Sequence, residues 1–484
     1  MIITANKNKF HFAIFTGLFI LFLIAAVYSE IYILSFIPFV LLLSYYGWQH
    51  LNSVFFLLLL TLPFSFEYNF SPQLGTDIPD EFFMLLVAGL FFLYIIFSPK
   101  IISKNIWRHP LIIFLLINLT WLAVTVAFSS YTIISLKFFL AKCWYIGAFV
   151  IAPLIVFKQK EIIKRSATIL AFSMLAVVLI ALMRHAISGF RFAEINNAVA
   201  PFFRNHVNYS AMLVCILPVF FAFYKLSQSK KKKRFTLIAI LILLTALFFS
   251  YARGAWLALL AGIITYWLIR KKLLFISFVA AFIITISLLV WLKSGDRYLQ
   301  FANDYKTTIF HKDFKEHLIA TYKLKDVSTA ERFYRWIAGV RMIKDNPLTG
   351  FGPNTFYNNY KPYAVPAFET WVSDNKEHST VHNYFLLITI EQGIPGLIFF
   401  LLLLGGSLYY AQQLYHRVQD VFYKTIAATI GVILSMLIVV NFLSDLVETD
   451  KVGSIFFLCL ATLIVTDINT RQESNFPSHI QSVS

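Results

Sequence analysis

The chain has 484 residues, of which 59% are hydrophobic and only 13% charged, and its mean hydropathy is +0.73. Soluble domains carry about a quarter charged residues, so a soluble globular enzyme is excluded; 52 Phe, 24 Tyr and 9 Trp equally exclude a disordered chain, which cannot carry that much apolar surface. The net charge of +17 would point to nucleic acid in a soluble protein, but in a membrane protein it is read by position along the bilayer, and no nucleic-acid partner is expected.

A bilayer core about 30 Å thick takes about 20 apolar helical residues. In chain order the candidate segments are 10–28, 31–47, 50–64, 82–98, 111–128, 138–157, 166–185, 207–226, 235–250, 255–269, 273–292, 383–411, 423–443 and 453–467. The short pair 31–47 and 50–64 leaves the expected total at about 12–14. The first segment follows Lys7 and Lys9 as a signal peptide would, yet its apolar run is too long and no small-residue site closes it before Ile31, so a retained helix is expected. Cys143, Cys215 and Cys459 all sit in apolar runs and are read as core fillers, neither a disulfide framework nor a metal site.

With the N-terminus in the cytoplasm, 21 of the 41 Lys and Arg fall on the cytoplasmic side, among them the run Lys230 to Arg234. That run reads as a topology anchor beside anionic lipid headgroups. A further 13 lie in one long loop, 293–382, where length overrides the positive-inside rule. Seven remain outside, namely Lys137, Lys142, Arg184, Arg191, Arg204, Arg253 and Lys451, and each needs another reason to face outward.

On that outer side, residues 191–208 form a polar loop with Arg204-Asn205-His206 just before a helix. Tyr251-Ala252-Arg253-Gly254-Ala255-Trp256 is the tip of a tight hairpin whose arginine lies almost in the apolar layer, where an unpaired charge costs several kcal/mol. In the long loop, Ser328 and Glu331 make a capping box, and the helix they open is stopped at Asn346-Pro347. Phe333, Trp336, Ile337, Val340 and Ile343 form its apolar stripe, which is expected to lie on the bilayer surface or against the membrane bundle; Arg332 borders the stripe, and Arg341 lies about 180° from Arg332. The turn-rich stretch Asn346 to Asn354 follows, then His382-Asn383 at the outer mouth of a membrane helix that Gly393-Ile394-Pro395-Gly396 interrupts. Asn441, Asp445, Glu448, Asp450 and Lys451 mark one more outer junction. Several arginines, a histidine and a few carboxylates thus meet on one membrane face. Arginine binds phosphate bidentately without titrating, so the simplest common ligand is a lipid-linked diphosphate. A small-solute transporter is the reading from another class, but transporters put charges near the midplane and show repeated halves.

Ser250-Tyr251-Ala252-Arg253-Gly254-Ala255-Trp256, then Arg332 through Trp336 to Asp345-Asn346-Pro347-Leu348-Thr349-Gly350-Phe351-Gly352, and His382-Asn383 with nine residues to Gly393 resemble the O-antigen ligase family, whose shared domain also occurs in O-antigen polymerases and protein O-oligosaccharyltransferases. The resemblance covers roughly 200–465. It implies a GT-C-like, multi-pass protein of the bacterial inner membrane that moves a glycan from undecaprenyl diphosphate, without cofactor or metal, to lipid A core or another glycan or protein acceptor on the periplasmic face. Carried over by motif, Arg253 and Arg332 hold the diphosphate and His382 acts on the acceptor hydroxyl; Arg204, His206, Arg335, Asn383, Asp445 and Glu448 are expected to contact substrate, with either Asp445 or Glu448 as the family's acidic residue. A polymerase remains the rival within the family, because Arg341, ten residues and Gly352 resemble a polymerase loop. The expected organisation is N-terminal membrane helices over 1–200, a ligase-like membrane domain over 201–467 that includes the loop 293–382, and a cytoplasmic tail over 468–484.

Overall fold

The computed structural model describes residues 2–31, 34, 35, 37–71, 74–295, 297, 327–365, 369, 373, 375 and 379–475. Its longer helices are α1 (Ile2–Ser29), α2 (Ile37–Gln49), α3 (Leu51–Thr61), α4 (Asp80–Phe97), α5 (Pro110–Ala127), α6 (Thr132–Val156), α7 (Lys160–Ile187), α8 (His206–Leu226), α9 (Lys230–Phe249), α10 (Arg253–Arg270), α11 (Leu274–Lys293), α12 (Val327–Asp345), α13 (Tyr384–Arg417), α14 (Val421–Phe442) and α15 (Asp450–Asn475). Between α3 and α4 the chain forms an antiparallel hairpin of β1 (Phe66–Ser71) and β2 (Leu74–Ile78), with Phe66 opposite Ile78.

The protein is an all-α integral membrane protein. Among the described residues, nine helices are long and apolar enough to cross a bilayer, and two shorter apolar helices cover 14–29 and 51–64. The figure is below 12–14 because α2 is short and α9 and α10 carry basic residues at their ends, which dilutes their hydropathy although both pack in the bundle. Apolar side chains face outward around it, as Ile263, Ile284 and Val290 do, each over 60% exposed; such a surface is stable only against lipid.

With no hydrophobic drive between helices in lipid, close approach depends on small residues. α10 packs on α14 and α14 on α13, and α13 packs in turn on α5. Gly262 of α10 lies against Met436, Gly431 of α14 against Ile269, and Gly406 of α13 against Phe114. One contiguous buried core runs from Val54 to Val465, so helices before and after residue 200 share it, and the C-terminal tail is helical as far as Asn475.

Helix α12 packs on α13, one of its two expected positions, but not by the expected stripe. Its buried line is Ala330, Tyr334, Ala338 and Met342, while Val340 is 43% exposed. The closest approach decides this: Gly339 sits against Ile390, which only the small-residue side of α12 permits. Phe333, Trp336, Ile337 and Ile343 flank that line, partly buried.

Away from the outer loop, Asp467 of α15 is 1% exposed and pairs with His109 at 3.2 Å, Arg471 at 3.0 Å and Arg417. His109 in turn caps α5 by accepting from the Leu111 N–H. This staple ties α5, α13 and α15 together. Removing one partner of a buried charge pair costs about 3–5 kcal/mol; because Arg417 and Arg471 reach water, Asp467→Asn should fall at or below the low end. A lower melting temperature in detergent, with the protein still extracted as a single monodisperse species, is the expected result.

Candidate functional site

A helix broken inside an apolar layer leaves backbone groups that lipid cannot satisfy. Helix α13 is broken at Gly393, which has φ 72° and ψ 179°, a region essentially restricted to glycine. The Ile390 and Glu391 carbonyls accept from the Phe351 N–H at 3.0 Å and the Gly352 N–H at 2.9 Å, and the Ile394 N–H donates to the Pro347 carbonyl at 2.8 Å. The Gln392 carbonyl accepts from Trp121 Nε1 at 2.8 Å. The turn-rich stretch 346–354 is therefore a plug set into the break. The carboxylate of Glu391, 4% exposed, accepts from the Asn354 N–H at 2.9 Å and the Phe356 N–H at 3.1 Å and locks the plug's far side.

Above the break, the Asn383 side chain accepts from the Leu386 N–H at 3.0 Å and caps α13, a structural role beside the substrate contact expected of it. His382 immediately precedes it with φ 52°, an uncommon conformation for a non-glycine residue. Its neighbours hold it there. Thr380 accepts from the His382 N–H at 3.3 Å and donates to Asp445 Oδ2 at 2.6 Å, and the Tyr384 N–H donates to the Ser444 carbonyl at 3.0 Å. His382 Nδ1 lies 3.8 Å from Asp445 Oδ1, too long for a direct hydrogen bond but close enough for charge pairing. Burial alone would push the Asp445 carboxyl up; the facing imidazole and the Thr380 hydroxyl outweigh it and hold the group below its ordinary value of 3.8. With a depressed pKa, the stability this carboxylate contributes is present above that ordinary value and lost as pH falls through the lower folded one.

Helix α12 supplies the other wall. Trp336 Nε1 donates to the Val381 carbonyl at 2.9 Å and its ring lies 6.3 Å from that of Phe442. Arg335, 5% exposed, donates to Glu331 at 3.0 Å and to the Thr380 carbonyl at 3.1 Å, and Glu331 also accepts from Ser373 at 2.5 Å. Arg335 is expected from the sequence to contact substrate, but its guanidinium is turned inward and braces the segment before His382. Glu331 is likewise engaged with Arg335 and Ser373, while the side chain of Ser328, the other half of the expected capping box, lies outside the described residues. Arg332, partly buried, is one turn before Trp336 on the same face of the helix.

Arg253 opens α10 two residues after Tyr251, whose φ is 57° and whose hydroxyl donates to the Phe190 carbonyl at 2.5 Å. A Cβ on Gly254 would stand 3.4 Å from Leu443, so the start of α10 meets the end of α14. The segment 442–445 is thus the meeting point: Gly254 beside Leu443, Trp336 beside Phe442, and His382 facing Asp445.

Other expected site residues are held elsewhere. Glu448 accepts from Lys142 at 2.8 Å, which gives that lysine a protein partner and leaves Asp445 as the carboxylate on His382. Arg204 lies 3.5 Å from Glu67 of the hairpin and is exposed, and both the backbone N–H and Nδ1 of His206 are 2.9 Å from Asn196 Oδ1. His206 borders the Arg253 corner through Phe192, whose ring packs on His206 and Tyr251, but neither it nor Arg204 joins Asp445. Lys451 donates to the Ser65 carbonyl at 2.8 Å and to that of Phe202. Glu391 and Thr380 were missed by sequence reasoning. A carboxylate two residues before a glycine in an apolar run was a legible signal for Glu391; Thr380 carried none.

Residues 238–401 match the family described as O-antigen ligase. A curated protein named O-antigen ligase, from Salmonella typhimurium, is 25% identical over 217 residues, which cover 44% of this chain and 49% of that protein. The chain thus spans about half the length of this relative. His382 and Arg253 lie inside the family match, and Asp445 beyond it.

If the plug fixes the outer loop, Gly393→Ala should cost about 1–3 kcal/mol in backbone strain alone, more because a Cβ there overlaps the Leu348 carbonyl. Glu391→Ala should add the cost of two unpartnered N–H groups, about 1–3 kcal/mol each. Limited proteolysis should cut both variants within 346–356 before any other site, while wild type resists there.

Proposed function

We propose that this chain, a member of the O-antigen ligase family through residues 238–401, is a membrane glycosyltransferase. In this reading it moves a glycan from undecaprenyl diphosphate to an acceptor hydroxyl, of lipid A core in the ligase form, on the periplasmic face of the bacterial inner membrane. The observation that carries it is the junction at 442–445, where the start of α10 that carries Arg253, the mid-helix Trp336 of α12 one turn after Arg332, and the His382–Asp445 pair come together.

The chemistry follows from what each group can do. Glycosyl transfer builds positive character at the sugar carbon and negative charge on the leaving diphosphate. Arg253 at the start of α10 and Arg332 within α12 neutralise that charge with bidentate donors carried on helices, so they favour the transition state over the ground state. His382 presents Nδ1 to Asp445, leaving Nε2 for the acceptor. As that oxygen attacks the sugar carbon and the bond to the diphosphate oxygen breaks, the hydroxyl proton passes to Nε2, and the Asp445 carboxylate stabilises the imidazolium that forms. Asp445, Thr380 and Arg335 act as positioning residues.

Transfer from purified lipid-linked oligosaccharide in detergent, with donor binding and melting temperature measured on the same preparations, tests the assignment. Lysine keeps the charge but loses the fork, so Arg253→Lys and Arg332→Lys should each lose roughly 10²-fold in rate, whereas exposed Arg341→Lys should be mild. His382→Ala should lose about 10² to 10⁴-fold with donor binding kept, and His382→Gln should not rescue it. Equal activity in all the arginine variants, or an active His382→Gln, would remove these roles. Deleting the gene separates the two transfer forms: loss of a ligase leaves long polymer on the lipid carrier, and loss of a polymerase leaves single repeats.

Orientation has its own check. Lys361 and Ser229 are both exposed, and the basic-residue bias assigns them to opposite sides. A cysteine at 361 should react with a membrane-impermeant maleimide in intact cells whose outer membrane has been permeabilised, and a cysteine at 229 should react only after lysis.

A further inference from the structure

We propose that the cavity between α7, α8, α9, α14 and α15 binds a diacyl glycerophospholipid with an anionic headgroup, at the end of the bundle opposite His382. Helix α9 starts at Lys230, beside the cavity-lining Ser229, Lys231 and Lys232, and ends at Phe249, four residues before Arg253, and 20 residues span about 30 Å. The two sites are therefore separated by the thickness of the apolar layer.

The cavity measures about 1030 Å³, at the upper end of the roughly 300–1,000 Å³ typical of ligand pockets. Its body is apolar. Phe172, Phe223 and Phe235 pack together along one wall, and the buried Cys215 and Cys459 also line it. Its mouth is basic: Lys164, Lys231 and Lys232 line it together with the linker Ser227–Ser229, and among the described residues none of these three lysines forms an ion pair.

Two features identify what the mouth is built for. Helix α9 begins with four lysines and an arginine, no acidic residue stands in its first turn, and Ser229 makes no side-chain cap bond. Cations at the positive end of a helix dipole oppose it, and a phosphate at that position offsets both. Second, Ser166 lines the cavity, is 2% exposed, and its Oγ has no hydrogen-bond partner among the described residues. A buried hydroxyl left unpaired is costly. Ser166 lies two residues further along α7 than Lys164, a rise of about 3 Å. Ser166 thus lies further into the apolar layer than the lysine-lined mouth, on the side where a diacyl glycerophospholipid carries its ester carbonyls relative to its phosphate. A polyprenyl phosphate carries no carbonyl there, so the commitment is to the diacyl lipid.

Native mass spectrometry of the full chain in detergent, titrated with phosphatidylglycerol, phosphatidylcholine or undecaprenyl phosphate, tests this. Wild type should retain phosphatidylglycerol through delipidation and release phosphatidylcholine. Changing Lys164, Lys231 and Lys232 together to Gln should weaken phosphatidylglycerol on the order of a hundredfold, roughly fivefold per lysine. Ala222→Trp, which fills the cavity, should abolish its retention, and Ser166→Ala should weaken it. Equal retention by wild type, the lysine variant and Ala222→Trp would reduce the lipid to an unspecific coat and overturn the proposal. Displacement of phosphatidylglycerol by undecaprenyl phosphate, unaffected by Ser166→Ala, would overturn it in favour of the polyprenyl lipid. The lysines are surface residues, so their variant keeps the test sound if Ala222→Trp fails to fold.

Discussion

The interruption of α13 at Gly393 is the constraint on which the His382-bearing half of the molecule depends. In lipid an unpaired carbonyl or N–H costs several kcal/mol, so a break in a spanning helix survives only where protein supplies the missing partners. Here the Asn346 to Asn354 stretch supplies most of them, and Trp121 supplies the donor for the Gln392 carbonyl. Because the plug must sit in the break, α12, which leads into it, is drawn down onto α13, and Trp336 and Arg335 reach the Thr380 and Val381 carbonyls. The position of His382 is thus set from three sides.

Rigid placement matters for the proposed chemistry. A catalytic group that reorganises during reaction loses most of its electrostatic advantage. His382 is held in an uncommon backbone conformation by Thr380, the capped start of α13 and the Ser444 carbonyl, and its partner Asp445 is held by Thr380. Such strain persists only when its surroundings over-determine it. Tyr251, two residues before Arg253, is in the same unusual region, so both motifs carried on loops are fixed by packing around them.

Much of this was legible in the residues. The apolar runs set the helices, and among the seven basic residues that the charge bias left unexplained, Lys142 lies on Glu448, Arg184 on the Asn197 and Ala200 carbonyls, and Lys451 on Ser65. The glycine break and the turn-rich stretch were both visible, but not that one fills the other, since backbone pairing between 347–352 and 390–394 leaves no side-chain signature. The apolar stripe of α12 was assigned from side-chain hydropathy, whereas Gly339 and the alanines decided which side could approach α13. Arg335 illustrates the same limit: arginines at 332 and 335 look alike in sequence, and the three-residue offset turns 335 inward to Glu331.

The sequence by itself determined the all-α membrane class, the approximate spans and the motifs that carry arginine and histidine. Each of these depends on local properties: hydropathy over about 20 residues, helical period and turn chemistry. Only the tertiary structure decided that Asp445, not Glu448, faces His382, that Glu391 locks the loop, and that Arg204 and His206 stay with the hairpin and Asn196. Those pairings join residues tens to hundreds of positions apart, such as Thr380 with Asp445 at a separation of 65 and Lys142 with Glu448 at 306. Both carboxylates sit at the same junction with the same local neighbours, so nothing short of helix packing distinguishes which one meets the histidine and which the lysine.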